Sequence, residues 1–267
     1  MRQIPNLFTL LNLVFGCIAI VFILQTGETI VIMGDGGATQ VTLPEKIWQG
    51  SLFIFAAAII DFLDGFLARL MKAGSAMGAQ LDSLSDVVSF GVAPGMILYQ
   101  LLRISYAQEP GGLEISFIAL LPAFILSAAA AWRLAKFNIS TNQSTSFRGV
   151  PTPAAGLVVA SFPLIIWFAD STTIQALFIN KWFLYGVILL LSWLMVSNLH
   201  LMALKFKDYS WKNNQLKYIL VLLSIVLIVL LHWLAVPAIF ILYVLFSFFS
   251  KEPEVVPVQK ETLDVTV

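Results

Sequence analysis

The sequence predicts an all-α polytopic membrane protein, and three observations carry that reading. Only 11% of its 267 residues are charged and 59% are hydrophobic, whereas a soluble domain averages roughly 25% charged. Apolar runs recur along the chain at about 20 residues, the length that crosses roughly 30 Å of hydrocarbon, and mean hydropathy is +0.91. The runs are continuous and do not alternate, so helices rather than barrel strands must satisfy the backbone in lipid.

Taken in order, spans are expected near residues 6–25, 47–70, 82–104, 114–136, 153–170, 181–203, 215–233 and 235–250. The first opens IPNLFTLLN, where Pro5 suits a first helical turn and Asn6 and Thr9 offer polar side chains near the helix start. No small-residue cleavage site follows this run, so it reads as a retained span and not a signal peptide. Cys17 reads as a small packing residue, because one cysteine supports neither a disulfide nor a thiolate metal site. The segment TIVIMGDGGATQVTL alternates apolar and polar residues about a Gly-rich centre and reads as a short hairpin. Its glycines lack the lysine and the strand-to-helix context of a phosphate loop.

The fourth span ends AAAAWRLAKFN. Arg133 and Lys136 there suit interfacial snorkelling as well as a site. SFRGVPTPAAG, rich in Gly and Pro, follows as a structured turn. His200, His232 and the tryptophans at span ends read as interfacial anchors. The last two spans meet at a tight bend near Ala235–Pro237, which allows a re-entrant hairpin. The charged tail 251–267 is expected to be disordered.

An even number of spans puts both termini on one side. If that side is cytoplasmic, Lys46, Arg103 and Lys181 are the basic residues left outside, and the other twelve of the 15 lie inside. A net charge of zero without a basic cluster gives no sign of a nucleic-acid partner.

One stretch departs from this apolar pattern. DFLDGFLARLMKAGSAMGAQLDSLSD, residues 61–86, carries four aspartates at membrane depth, where each ionised group costs about 2.5–3.5 kcal/mol to insert. Asp61, Asp64, Gly65 and Ala68 share one helical face, and Asp82 and Asp86 share another. A small-residue turn (Ala73, Gly74, Ser75, Gly78) joins the two helices, which makes them antiparallel neighbours with four carboxylates facing across the gap. Carboxylates gathered without a cation repel one another. Oxygen ligands favour hard divalent ions such as Mg²⁺ or Mn²⁺, and two such ions can clamp a diphosphate. Arg69 lies one turn beyond Gly65 and can neutralise a phosphate oxygen, while Gly65 and Gly78 leave room for close approach of a ligand or of another helix.

The pattern Asp61-x-x-Asp64-Gly65-x-x-Ala68-Arg69, followed after eight residues by Gly78-x-x-x-Asp82-x-x-x-Asp86, resembles the complete signature of the CDP-alcohol phosphotransferases. The resemblance implies a six-helix transmembrane core, here residues 1–204, with residues 205–250 as about two additional C-terminal helices. It implies a homodimer that transfers a substituted phosphate from a CDP-linked donor to an alcohol, releasing CMP. Asp61, Asp64, Asp82 and Asp86 would bind the two metals, with Asp86 also the base for the acceptor's proton. Asn6, Thr9, Gly65, Arg69, Ser75 and Gly78 would hold the CDP part.

Within the family, IPNLFTLLNLVFG (4–16), RLAKFN (133–138) and FRGVPTPAAG (147–156) resemble the integral-membrane branch that uses CDP-diacylglycerol and L-serine, the phosphatidylserine synthases. Arg133, Asn138, Arg148 and Thr152 are then the candidates for reading serine. Lys136 stands where that motif more often has arginine, which weakens a bidentate role. A sister enzyme acting on glycerol 3-phosphate or inositol phosphate keeps the same core signature. An intramembrane prenyltransferase would carry its carboxylates on well-separated helices. A cation or proton transporter would place a relay near the midplane between repeated halves, and no internal repeat is present.

Overall fold

In the computed structural model, residues 4–25, 27, 29–34, 37–42, 45–71, 75–109, 115–139, 149–199, 201–202 and 210–249 are described. Helix α1 (Ile4–Leu24) leads into an antiparallel hairpin of β1 (Thr29–Gly34) and β2 (Gly37–Thr42), paired from Thr29 opposite Thr42 to Gly34 opposite Gly37. The alternation in this segment is therefore that of a real strand pair. Helix α2 (Ile47–Leu70) returns along α1, the most extensive packing in the molecule. Cys17, expected to pack, is instead exposed on α1.

Helices α3 (Ala76–Asp86) and α4 (Ala93–Ala107) are joined without a break by a π-turn, Val87–Val92, into one 32-residue rod. Pro94 lacks the N–H that the Phe90 carbonyl would otherwise receive, and Ser127 Oγ donates to the Gly91 carbonyl at 2.9 Å. The rod is the core of the bundle. Phe90, Ile97, Leu98 and Leu101 on it are fully buried. Small residues let the neighbours close in: a Cβ on Gly16 of α1 would stand 2.4 Å from Ser89 Oγ, and one on Gly156 would stand 2.9 Å from the Phe90 carbonyl.

Around the rod lie α5 (Phe117–Leu120), a 3₁₀ turn (Leu121–Phe124) and α6 (Ile125–Ile139), then α7 (Thr152–Phe168), α8 (Thr172–Ile179) and α9 (Lys181–Val196). Helices α8 and α9 meet at 62°. Five helical stretches are long and apolar enough to cross a membrane, and the bent α8–α9 pair makes six, as a polytopic membrane protein requires. Helix α7 has 17 residues and is shorter.

The C-terminal apolar stretch divides into α10 (Trp211–Leu231) and α11 (Ala235–Phe249), which pack on one another. The break falls at His232, with φ 50° and ψ −121°, and not at Ala235–Pro237. Pro237 sits in the first turn of α11, where its missing N–H costs nothing. Trp233 packs on Phe55 with ring centroids 5.8 Å apart. His200, Arg148, the turn residues 72–74 and the tail 251–267 lie outside the described residues.

Candidate metal and phosphotransfer site

The four aspartates come together, though not by the route their spacing suggests. Helices α2 and α3 scarcely pack on each other, and each packs on α1, which holds the two together. Carboxylate oxygens of Asp61, Asp64 and Asp82 all lie within 4.8 Å of one another. Asp86, one turn further into the rod and buried, faces Asp61 across the gap. An all-oxygen set this tight suits a hard divalent cation, so the residues present fit metal binding.

Helix α1 orients the acids. Thr9 Oγ1 donates to Asp64 Oδ2 at 2.7 Å, and Asn12 Nδ2 donates to Asp86 Oδ1 at 3.4 Å. The rod answers with Ser85 Oγ donating to the Thr9 carbonyl and Ser89 Oγ to the Asn12 carbonyl, both at 3.0 Å. Thr9, Asn12, Ser85, Ser89, Asp64 and Asp86 are all buried. Asn12, Ser85 and Ser89 escaped the sequence reading. A signal existed: Asn6, Thr9 and Asn12 recur every three residues, a polar stripe along an otherwise apolar helix.

The remaining candidates sort by what they touch. A Cβ on Gly65 would meet nothing within 4 Å, so there is open space beside the acid cluster for a bulky ligand. Gly78 has the packing role instead, since a Cβ there would stand 2.9 Å from Asn6 Oδ1. Ser75 caps α3, its Oγ accepting the Gly78 N–H at 2.9 Å. Arg69 is exposed in the last turn of α2.

Helix α6 packs on the π-turn and on α3, and its residues expected to read an acceptor make contacts within the bundle. Arg133 Nη1 donates to Thr152 Oγ1 at 3.4 Å, and its Nε is buried without a hydrogen-bond partner. With Nη1 on the buried Thr152 hydroxyl and Nε itself buried, Arg133 is turned into the bundle and does not snorkel. Asn138 is bonded to Ser83 Oγ at 3.0 Å and Gln80 Oε1 at 3.5 Å, tying α6 to α3 beside Asp82. Lys136 is exposed and donates to Asn198 Oδ1 at 2.9 Å, away from the acids. Thr152, fully buried, opens α7 after a turn in which Gly149 holds φ +73° and donates to the Leu199 carbonyl.

The chain is similar to known proteins over most of its length. A family model described as CDP-alcohol phosphatidyltransferase matches residues 2–196. A Helicobacter pylori (strain J99) protein named CDP-diacylglycerol–serine O-phosphatidyltransferase is 34% identical over 229 residues, covering 84% of this chain and 81% of the relative. Proteins of the same name from Bacillus subtilis and Saccharomyces cerevisiae are 35% and 36% identical. They cover 61% and 41% of this chain, and 77% and 39% of their own lengths. With the matched region spanning every aspartate of the cluster, the chain belongs to the CDP-alcohol phosphatidyltransferase family.

Proposed function

We propose that this protein is a phosphatidylserine synthase, transferring the phosphatidyl group of CDP-diacylglycerol to the hydroxyl of L-serine and releasing CMP. The observation that carries the reading is the carboxylate cluster of Asp61, Asp64 and Asp82, with buried Asp86 at its inner edge and Arg133 of α6, whose Nε is buried without a hydrogen-bond partner, turned into the bundle. That juxtaposition offers a metal-diphosphate grip, a base and an anion partner for a zwitterionic alcohol.

Asp61, Asp64, Asp82 and Asp86 would hold two divalent ions, Mg²⁺ or Mn²⁺, which when bound supply charge neutralisation for the diphosphate. The chain's own residues do the rest. The open space at Gly65 admits the cytidine diphosphate, and Arg69 balances charge developing on the departing CMP. Thr9, Asn6, Ser75 and Gly78 shape the wall on the side of α1 and α3. Asp86 takes the proton of the serine hydroxyl as that oxygen attacks the phosphorus bonded to diacylglycerol, and the bond from that phosphorus to CMP breaks. Arg133 pairs with the serine carboxylate, with Thr152, Asn138 and Arg148 as supporting candidates.

The site is proposed to open to the cytoplasm, with both termini on that side of the inner membrane. The Lys46 N–H donates to the Gln25 carbonyl at the end of α1, Arg103 bonds Gln100, which reaches Ile23, and Lys181 pairs with Glu109 at 2.6 Å. Contacts at the far ends of α1 and α4 for these three cations support this orientation. A homodimer is proposed from the family resemblance. Residues 205–250 are assigned as an added C-terminal unit, of which α10 and α11 are the described part.

The test is an acceptor panel on the purified protein in detergent with CDP-diacylglycerol and a divalent salt. CMP release with labelled serine is expected. Release with glycerol 3-phosphate or inositol phosphate in its place would reassign the acceptor, and ion flux in vesicles without CMP release would remove the enzyme reading.

A further inference from the structure

Among the described residues, two of the candidate-site side chains carry a buried polar atom without a partner, and the two atoms are opposite in kind. One is a donor, Arg133 Nε, already assigned to the serine carboxylate. The other is an acceptor, Asn12 Oδ1. Asn12 is fully buried, with its amide nitrogen committed to Asp86 Oδ1 at 3.4 Å, so its carbonyl oxygen is fixed beside the proposed base. An unpaired buried acceptor costs about 1–3 kcal/mol, a cost that a bound ligand's donor can remove.

We propose that Asn12 Oδ1 accepts a hydrogen bond from the ammonium group of the acceptor amino acid. The chemistry of serine fits the position. Its ammonium is two carbons from the hydroxyl, so a serine whose hydroxyl faces Asp86 carries the ammonium alongside it, next to Asn12. Its carboxylate branches from the same carbon and can turn toward Arg133. Helix α1 would therefore read the positive end of the acceptor and α6 the negative end. The fixed separation of the two helices would make the pocket selective for an amino acid over a simple alcohol. Ser89, whose hydroxyl donates to the Asn12 backbone carbonyl, holds this turn of α1 against the π-turn of the rod.

The inference rests on serine being the acceptor, and the test separates the two. CMP release by the full-length protein is measured with serine and with 3-hydroxypropanoate, the same molecule without its ammonium. Wild type is expected to prefer serine in kcat/KM by a factor on the order of 10² or more, because a site built around a donor rejects an analogue lacking it. Asn12→Ala is expected to shrink that preference at least tenfold. Asn12→Asp, which keeps an oxygen there, is expected to retain it even if turnover falls. An equal loss with both acceptors in Asn12→Ala would reduce the residue to positioning Asp86 and overturn the proposal. So would a wild type that uses the two acceptors equally, a result that needs no folded variant. Turnover of glycerol 3-phosphate but not serine would instead remove the acceptor assignment itself, and the proposal with it.

Discussion

Thr9 on α1 donates a 2.7 Å hydrogen bond to Asp64 on α2, across 55 residues of sequence. The bond holds the Asp64 carboxylate in the orientation that brings it within 4.8 Å of Asp61 and Asp82. Thr9→Val removes the donor without changing the volume much. Outer partners of metal-binding groups typically contribute 10–100-fold to metal affinity or activity. We expect Thr9→Val to raise the Mg²⁺ or Mn²⁺ concentration needed for half-maximal activity by about tenfold or more, and Thr9→Ser to restore it. Metal titration of activity after chelator treatment checks both, and an unchanged titration would detach Thr9 from the metal site.

Asp86 differs from its three partners in position and company. It is buried, as Asp64 is, but lies outside the tightest group of carboxylates and is the one that accepts from Asn12. A base that removes the acceptor's proton contributes about 10²–10⁴-fold. Asp86→Asn is nearly isosteric, keeps an oxygen for Asn12 and should still bind CDP-diacylglycerol while losing transfer by that factor. Equilibrium binding of the donor together with CMP release is the measurement. Normal turnover would take the base role from Asp86.

The aspartates were readable from sequence because membrane depth leaves no bland explanation for four ionisable groups. Their helical faces followed from spacing alone. The role of α1 was not readable in the same way, since nothing local says that Asp64 will find Thr9 or that Asp86 will find Asn12. Side-chain spacing of three residues marks a polar stripe but not its partner. Gly65 and Gly78 looked equivalent in sequence and separate only once their surroundings are known: open space beside one, Asn6 against the other. The break at His232 was misplaced because Pro237 is the louder signal. A proline in the first turn of a helix obstructs nothing, whereas a positive φ at a histidine leaves no mark on local composition.

Gly149 begins the turn that delivers Thr152 to Arg133. It holds φ +73°, and a Cβ there would stand 2.6 Å from the Met195 carbonyl and 2.8 Å from that of Ser197. Both the backbone conformation and the packing against the end of α9 therefore demand glycine. Strain of this kind costs about 1–3 kcal/mol before the contact with α9 is counted. Gly149→Ala is expected to lower the unfolding temperature in detergent by several degrees and to weaken serine use more than donor binding. Unchanged stability would mean that this turn is not held against α9 as described.

Arg133 and Thr152 meet at 3.4 Å through Nη1, which leaves the Nε edge of the guanidinium facing inward without a partner. A planar fork with one arm anchored and the other free is preorganised for a carboxylate. Lysine can supply the charge but neither the fork nor the anchor. Arg133→Lys removes a hydrogen bond to a charged group, a loss of about 1.5–3 kcal/mol, and so should raise the KM for serine by about 10–100-fold. The KM for CDP-diacylglycerol should stay within about twofold, because the residues proposed to hold the donor lie on α1, α2 and α3 and not on α6. Ethanolamine, which lacks the carboxylate, supplies the control: whatever its rate with wild type, Arg133→Lys should leave it unchanged. Steady-state kinetics with the two acceptors decide the matter. A uniform fall in kcat for both would mean that Arg133 acts on Asp86 and not on the acceptor's carboxylate.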